Sequence, residues 1–306
     1  MSGVLVGFAI IGVVILIGYV VGRSGALGPH APFVLSRIVF FVLSPALLFT
    51  VLADADVHQL FSSMLAVSTI SALLSCLLFA GVALLVFRRK IPETVIGSIA
   101  SGYVNANNIG IPVALYVLGD TAYSAPVILL QLLVLTPIAL TILDVTTGGK
   151  TSIGRVISRP FTNPLIIGSA LGVVVSITGL QIPAAVMEPF RIVGAAAVPL
   201  VLIAFGMSLH GQKLLAPGSG RRDILLASTI KLAVMPLVAW LFGRFVFGLD
   251  HDQLFAAVVL AGLPTAQNIF VYAQRYDRGV TLARDTVLIT TVGSVPLLVL
   301  VAFLLK

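Results

Sequence analysis

The chain has few charged residues and a single cysteine. Only 9% of its 306 residues are charged and 59% are hydrophobic, whereas soluble domains carry roughly 25% charged residues. The lone Cys76 excludes an internal disulfide and any paired-cysteine metal site. None of the four histidines has the helical spacing that places two imidazoles on one metal ion. We therefore expect neither a soluble domain nor a bound metal or cofactor.

The chain contains many long apolar runs. The mean hydropathy is +1.15, and a run of about 20 apolar residues spans a bilayer as a helix. The pattern predicts an all-α integral membrane protein with ten transmembrane helices in the cytoplasmic membrane. The predicted spans are Gly3–Val21, Val34–Leu52, Met64–Phe87, Thr94–Leu118, Ala122–Leu143, Pro164–Thr178, Pro189–Leu209, Ile224–Phe247, Leu254–Ala273 and Thr286–Leu305.

Basic residues are concentrated in every second loop. Of the 18 lysines and arginines, 14 follow spans 1, 3, 5, 7 and 9, three lie on the opposite side, and Lys231 lies inside span 8. Cytoplasmic loops are enriched in lysine and arginine, so both termini are predicted to be extracytoplasmic. The net charge of +7 therefore reflects membrane orientation, and no nucleic-acid partner is expected.

Two sequence patterns occur once in each half of the chain. RIVFFVLSP begins at Arg37 and RIVGAAAVP at Arg191, an offset of 154; GIP at 110–112 and GLP at 262–264 are offset by 152. Since five spans is an odd number, the second copy enters from the opposite side, which gives an inverted repeat. The predicted organisation is a first repeat, a cytoplasmic connecting loop and a second repeat at 1–143, 144–163 and 164–306.

The helix breakers of spans 4 and 9 occupy equivalent positions in the two halves. Proline removes a backbone N–H and glycine relaxes the backbone, and backbone freed at membrane depth is tolerated only inside protein or beside a water-filled cavity. Paired interruptions of this kind indicate a transporter's binding site. The predicted breaks lie at Gly110, Pro112, Gly262 and Pro264.

Amide and hydroxyl side chains accompany both breaks. Asn105 and Asn108 lie beside the first, and Thr265 and Asn268 lie beside the second. We expect these four residues to contact the substrate or shape its pocket, because half-helices that begin at a break point N–H groups at an anion. The alternative is that the amides only join helices to one another.

Lys231 is the one charge in the central part of a predicted span. It lies eight residues past Asp223, about 12 Å into the membrane at 1.5 Å per residue. An ionisable residue at that depth is functional by default. Lys231 could balance a substrate anion, stabilise broken-helix carbonyls, lose its proton or extend to the membrane edge. We expect it to supply positive charge to the substrate site.

Three segments resemble the auxin efflux carrier family, and the likeness covers nearly the whole chain. They are LSRIVFFVLSPALLF at 35–49, NANNIGIP at 105–112 and PTAQNIFVYAQRY at 264–276. The resemblance implies that helices 4 and 9 cross at their breaks. It also implies a scaffold of helices 1, 2, 6 and 7 that forms a homodimer, with the other helices moving against it. Asn107 and Asn108 depart from the small or apolar residues usual in the family, and the central loop is short.

The predicted function is secondary transport of a small organic anion, a carboxylate such as those the family carries. The mechanism expected is alternating access of the elevator type, with export driven by the membrane potential. No nucleotide-binding loop or catalytic motif is visible, so an enzyme is not expected. The alternatives are a sodium- or proton-coupled importer on the same fold and an anion sensor that moves nothing. The expected partners are the anion and membrane lipid.

Overall fold

A computed structural model describes residues 2–54, 63–110, 113–118, 121–147, 164–211, 213–216, 218 and 220–305. We number its helices as the predicted spans were numbered, with a and b for the halves of interrupted helices. They are α1 (Ser2–Ser24), α2 (Ala31–Ala53), α3 (Ser63–Val86), α4a (Ile91–Gly102), α4b (Ala106–Gly110 and Ala114–Leu118), α5 (125–147), α6 (Pro164–Thr178), α7 (Ala184–Leu209), α8 (Arg221–Phe245), α9a (His251–Ala261), α9b (Asn268–Tyr276) and α10 (Val280–Leu305).

Every predicted span contains helix in the described residues, and spans 4 and 9 are each interrupted by a non-helical stretch. Five helices, α2, α3, α7, α8 and α10, are long and apolar enough to cross a membrane, while α5, α6, α9a and the second part of α1 contain shorter apolar helices. Large apolar side chains point outward, such as Leu85 at 81% exposed and Phe303 at 82% exposed. Such a surface suits lipid and not water, so the chain is a multi-pass membrane protein.

A wider π-turn precedes a proline in three of these helices. A proline inside a helix lacks an N–H and its ring clashes with the preceding turn. A π-turn widens the backbone at that point and is often found at functional sites. The three pairs are Val39–Leu43 before Pro45, Gln131–Leu135 before Pro137, and Ile230–Val234 before Pro236.

Helices α1, α2, α6 and α7 form one group. The α1 helix packs along the second half of α7, and α2 packs against α6 and α7. Glycine makes this packing close: a Cβ at Gly168 of α6 would lie 2.5 Å from the carbonyl oxygen of Pro45 in α2. Small residues of this kind let membrane helices approach one another.

A second group contains α3, α4a, α5, α8, α9a and α10. In it α4a packs against α3 and α5, and α8 packs against α3, α9a and α10. The two groups meet mainly where α4b contacts α1 and where α9b contacts α2. The interrupted helices therefore lie at the boundary between the groups.

The connection from α7 to α8 is attached to the second group. The backbone N–H of Leu215 donates to Oδ2 of Asp285 at 3.0 Å, and Arg221 donates to the carbonyl oxygen of Leu215. Asp285 is 1% exposed and is paired with Arg284 at 2.7 Å. The buried carboxylate thus holds this connection on the N-terminal end of α10.

Candidate functional site

The two interrupted helices cross where each is extended. Tyr103 follows α4a in an extended conformation, and Val104 forms an isolated antiparallel bridge with Thr265. The N–H of Asn105 donates to the carbonyl oxygen of Pro264 at 2.8 Å, and that of Ala266 donates to Tyr103 at 3.3 Å. Two half-helices end at this crossing and two begin there.

The break in the first half of the chain begins earlier than predicted. The sequence pattern placed it at Gly110 and Pro112, but α4a already ends at Gly102 and the π-turn of α4b occupies Ala106–Gly110. Pro112 lies outside the described residues. In the second half, Gly262 directly follows α9a and Pro264 lies in the extended stretch. Gly110 instead allows a close approach, because a Cβ there would lie 3.1 Å from Leu263.

Backbone donors at the crossing are satisfied by side chains as well as by the bridge. The N–H of Val104 donates to Oε1 of Gln131 at 2.6 Å. The N–H of Thr265 donates to Oγ1 of Thr290 at 3.1 Å. A buried backbone donor without a partner is costly in a membrane interior, so these contacts stabilise the interrupted conformation.

The carbonyl ends of α4a and α9a also receive donors. The Thr265 hydroxyl donates to the carbonyl oxygen of Ala100 at 2.6 Å. The Lys231 ammonium donates to the carbonyl oxygen of Ala261 at 2.7 Å and lies 3.3 Å from Sδ of Met235. A cation at a helix C-terminus interacts favourably with the partial negative charge there. Lys231 thus stabilises broken-helix carbonyls, one of the roles that its position in the sequence allowed.

A cavity of about 50 Å³ lies beside the crossing, between the two helix groups. One wall is apolar and comes from α2, α6 and α7. The other wall combines apolar residues with the polar side chains of Tyr103, Asn105, Gln131, Asn268 and Tyr272, and Ser44 lies opposite. None of the described lining residues is charged. The volume has room for only a few water molecules.

The amide side chains determine which charge of ligand this cavity suits. Asn105 is 2% exposed, and its Nδ2 donates to Oε1 of Gln267 at 2.6 Å. Asn268 lines the cavity as the first residue of α9b, where the helix N-terminus favours negative charge. Gln267 is fully buried and its Nε2 has no hydrogen-bond partner among the described residues. Amide donors, with no carboxylate among the described lining residues, suit an anion better than a cation.

The structure separates the predicted contact residues into two sets. Asn105 and Asn268 line the cavity. Thr265 and Lys231 are completely buried behind the crossing and are not among the cavity's lining residues. The side chain of Asn108 lies outside the described part of the structure.

Sequence reasoning missed two groups of site residues. Gln131 is a lone amide in the apolar run VILLQLLVL, and that isolated polarity could have revealed it. Tyr103 and Tyr272 also line the cavity. A hydrogen bond of 3.2 Å joins the Tyr103 and Thr136 hydroxyls, and no local pattern in the sequence indicates that contact.

Comparison with known proteins gives a family for this arrangement. A "Putative malonate transporter" of Rhizobium meliloti is 27% identical over 290 residues, which cover 92% of this chain and 89% of that protein. An "Uncharacterized transporter" of Methanothermobacter thermautotrophicus is 27% identical over 287 residues, 92% of each chain. The "Uncharacterized transporter YfdV" of Escherichia coli K12 is 23% identical over 275 residues, 87% and 86% of the two chains. The family model described as "Membrane transport protein" matches residues 4–302. The chain therefore belongs to this family of membrane transport proteins, the auxin efflux carrier family that its motifs resemble.

Proposed function

We propose that the protein is a secondary transporter of a small organic anion. The observation that carries the proposal is the cavity beside the crossing. It is lined by the amides of Asn105, Gln131 and Asn268, and none of its described lining residues is acidic. Amide donors and a helix N-terminus attract negative charge, whereas a sodium or other cation site requires oxygen ligands that usually include a carboxylate.

A short carboxylate is the proposed substrate class. The apolar wall of the cavity suits a short carbon chain opposite the amides. The name of the Rhizobium meliloti relative points to malonate, a short dicarboxylate. Malonate and simple monocarboxylates are therefore the first compounds to test.

Alternating access in the proposed mechanism comes from movement between the two helix groups. The cavity touches α2, α6 and α7 on one side and α4, α5 and α9 on the other. Displacement of the second group relative to the first would widen it and carry it across the membrane, as an elevator does. The inverted five-helix repeat, the homodimer formed through α1, α2, α6 and α7, and the extracytoplasmic termini belong to this proposal.

Export needs no coupled ion in this scheme. An anion that leaves a cell with a negative interior gains about 2.3 kcal/mol per charge for each 100 mV. The ammonium of Lys231 already occupies the C-terminal end of α9a, where a bound cation would otherwise be stabilised. We therefore expect transport that follows the membrane potential and is independent of sodium.

Flux in proteoliposomes tests this proposal. Vesicles containing the protein and radiolabelled malonate or acetate are given an interior-negative potential with valinomycin and a potassium gradient. Efflux should rise with the potential and stay the same when choline replaces Na⁺. At substrate concentrations below saturation, Asn105→Ala should lower it strongly. A strict sodium requirement would instead support the coupled importer. Binding without flux would support the sensor.

A further inference from the structure

The cavity is closed toward the end of the molecule that carries the basic loops. Phe40 of α2 and Tyr272 of α9b are each 2% exposed, and their rings meet edge to face with centroids 6.2 Å apart. Tyr272 also lines the cavity. Phe40 belongs to the first helix group, whereas α9b, which carries Tyr272, also packs against α10, α4a and α5 of the second group. Their contact therefore breaks if α9b moves with the second group.

Arg275 lies on the outer side of this aromatic pair. Its Cζ is 5.0 Å from the ring centroid of Phe41, 5.5 Å from that of Tyr276 and 5.8 Å from that of Phe40. These distances fall within cation–π range. The residue is exposed, and no carboxylate lies within ion-pair distance of it in the described part of the chain. The aromatic rings therefore hold the guanidinium without neutralising it.

One helix connects this arginine to the binding cavity. Asn268 begins α9b at the cavity, and Arg275 comes seven residues later, about 10 Å along the helix axis. An anion attracted to Arg275 thus reaches the mouth that Phe40 and Tyr272 close. When the helix groups part, Arg275 loses its contacts with Phe40 and Phe41, and the path to Asn268 opens.

We propose that Phe40 and Tyr272 form the gate of the cavity on the side of the basic loops, and that Arg275 selects anionic substrates at this gate. The proposal rests on the transport function proposed above. It adds a specificity-determining residue that does not line the binding cavity. It also links substrate capture to opening, because the same aromatic rings hold the arginine and close the path.

Cysteine labelling tests the gate without any substrate. Asn268→Cys is made in a Cys76→Ser background, and the rate of modification by an impermeant thiol reagent is measured in vesicles of both orientations. Phe40→Ala should raise that rate about tenfold or more from the side of the basic loops only. Phe40→Leu, which keeps the site apolar, should raise it less and provides a second variant if the alanine protein does not fold. Phe49→Ala, an aromatic change elsewhere on α2, should have no effect. The proposed gate would be refuted if the modification rate were the same in the Phe40 variants, in Phe49→Ala and in the Asn268→Cys parent.

Flux kinetics test the arginine. Arg275→Gln should raise the KM for substrate offered from the side of the basic loops about tenfold, the lower end of electrostatic enrichment effects, with kcat unchanged. Arg275→Lys should restore most of the affinity, and added salt should remove the difference between the proteins. Arg278→Gln is the matched control, since Arg278 lies three residues away and faces Glu93 at 3.8 Å.

An unchanged KM in Arg275→Gln would refute the selective role. A protein that transports no anion at all would refute the proposed function, and the labelling result would still decide the gate.

Discussion

The Thr265 hydroxyl donates to the carbonyl oxygen of Ala100 at 2.6 Å, and both residues are completely buried. One interrupted helix thereby supplies the donor that the end of the other lacks. Thr265→Val should leave that carbonyl unpaired and lower the free energy of unfolding by about 1–3 kcal/mol. Melting temperature and substrate affinity should be measured together, with Thr265→Ser as the control that keeps the donor. Loss of affinity at an unchanged melting temperature would mean that Thr265 binds the substrate.

Lys231→Met should affect stability more than substrate binding. The change keeps a long apolar side chain but removes the ammonium that donates to Ala261, and a lost buried partner costs about 1–3 kcal/mol. The melting temperature should fall while the folded fraction keeps its affinity for the anion. Arg244→Gln removes an exposed positive charge from the same helix and should change neither quantity. A selective loss of anion affinity in Lys231→Met would place this lysine in the substrate site.

Asn105→Ala should abolish most of the binding. A hydrogen bond to a charged group contributes about 1.5–3 kcal/mol, so affinity should fall about 10- to 100-fold. Isothermal titration with malonate would measure the loss. Gln274→Ala removes an amide from α9b that is not among the cavity's lining residues and should bind normally. Full affinity in the Asn105 variant would assign this asparagine a structural role only.

Gly102→Ala should destabilise the contact between α3 and α4a. A Cβ at Gly102 would lie 2.5 Å from the carbonyl oxygen of Ala72 and even closer to Sγ of Cys76. Forcing a methyl group into such packing costs about 1–3 kcal/mol. Gly81→Ala is the matched control in α3, because nothing lies within 4 Å of its added Cβ, and it should be neutral or slightly stabilising. Equal melting temperatures for the two variants would contradict this packing.

The predicted orientation can be tested at two exposed loop positions. His30 follows α1, and Gln181 follows α6. In a Cys76→Ser background, an impermeant thiol reagent applied to intact cells should label Gln181→Cys and spare His30→Cys. Permeabilised cells should label both, which controls for reactivity. The opposite pattern would reverse the orientation that the basic loops predict.

Much of the fold could be predicted because its signals are local. Apolar runs located the spans, and the polar residues and helix breakers of spans 4 and 9 located the region of the crossing. The position of the first break could not be predicted in this way. The extended stretch that starts at Tyr103 depends on the carbonyl of Pro264 and the amide of Gln131, and both partners are distant in sequence.

The role of Lys231 could not be predicted from the sequence for the same reason. Its depth in span 8 indicated a functional charge, but its hydrogen-bond partner is the last carbonyl of α9a. Sequence alone gives the burial of such a residue and not the direction of its side chain. Asn105 and Asn268 could be assigned to the region of the crossing from the sequence, because they lie within or beside the extended stretches themselves.

The attachment of Leu215 to Asp285 determines where the connection from α7 to α8 can bend. Because the connection is already bound to α10 at Leu215, a displacement of one group relative to the other has to be absorbed before that residue. Gly211 lies there, two residues after the end of α7, with a φ of +71° that only glycine adopts easily. In the proposed mechanism, Gly211 would therefore be a position at which the chain bends as the two groups move.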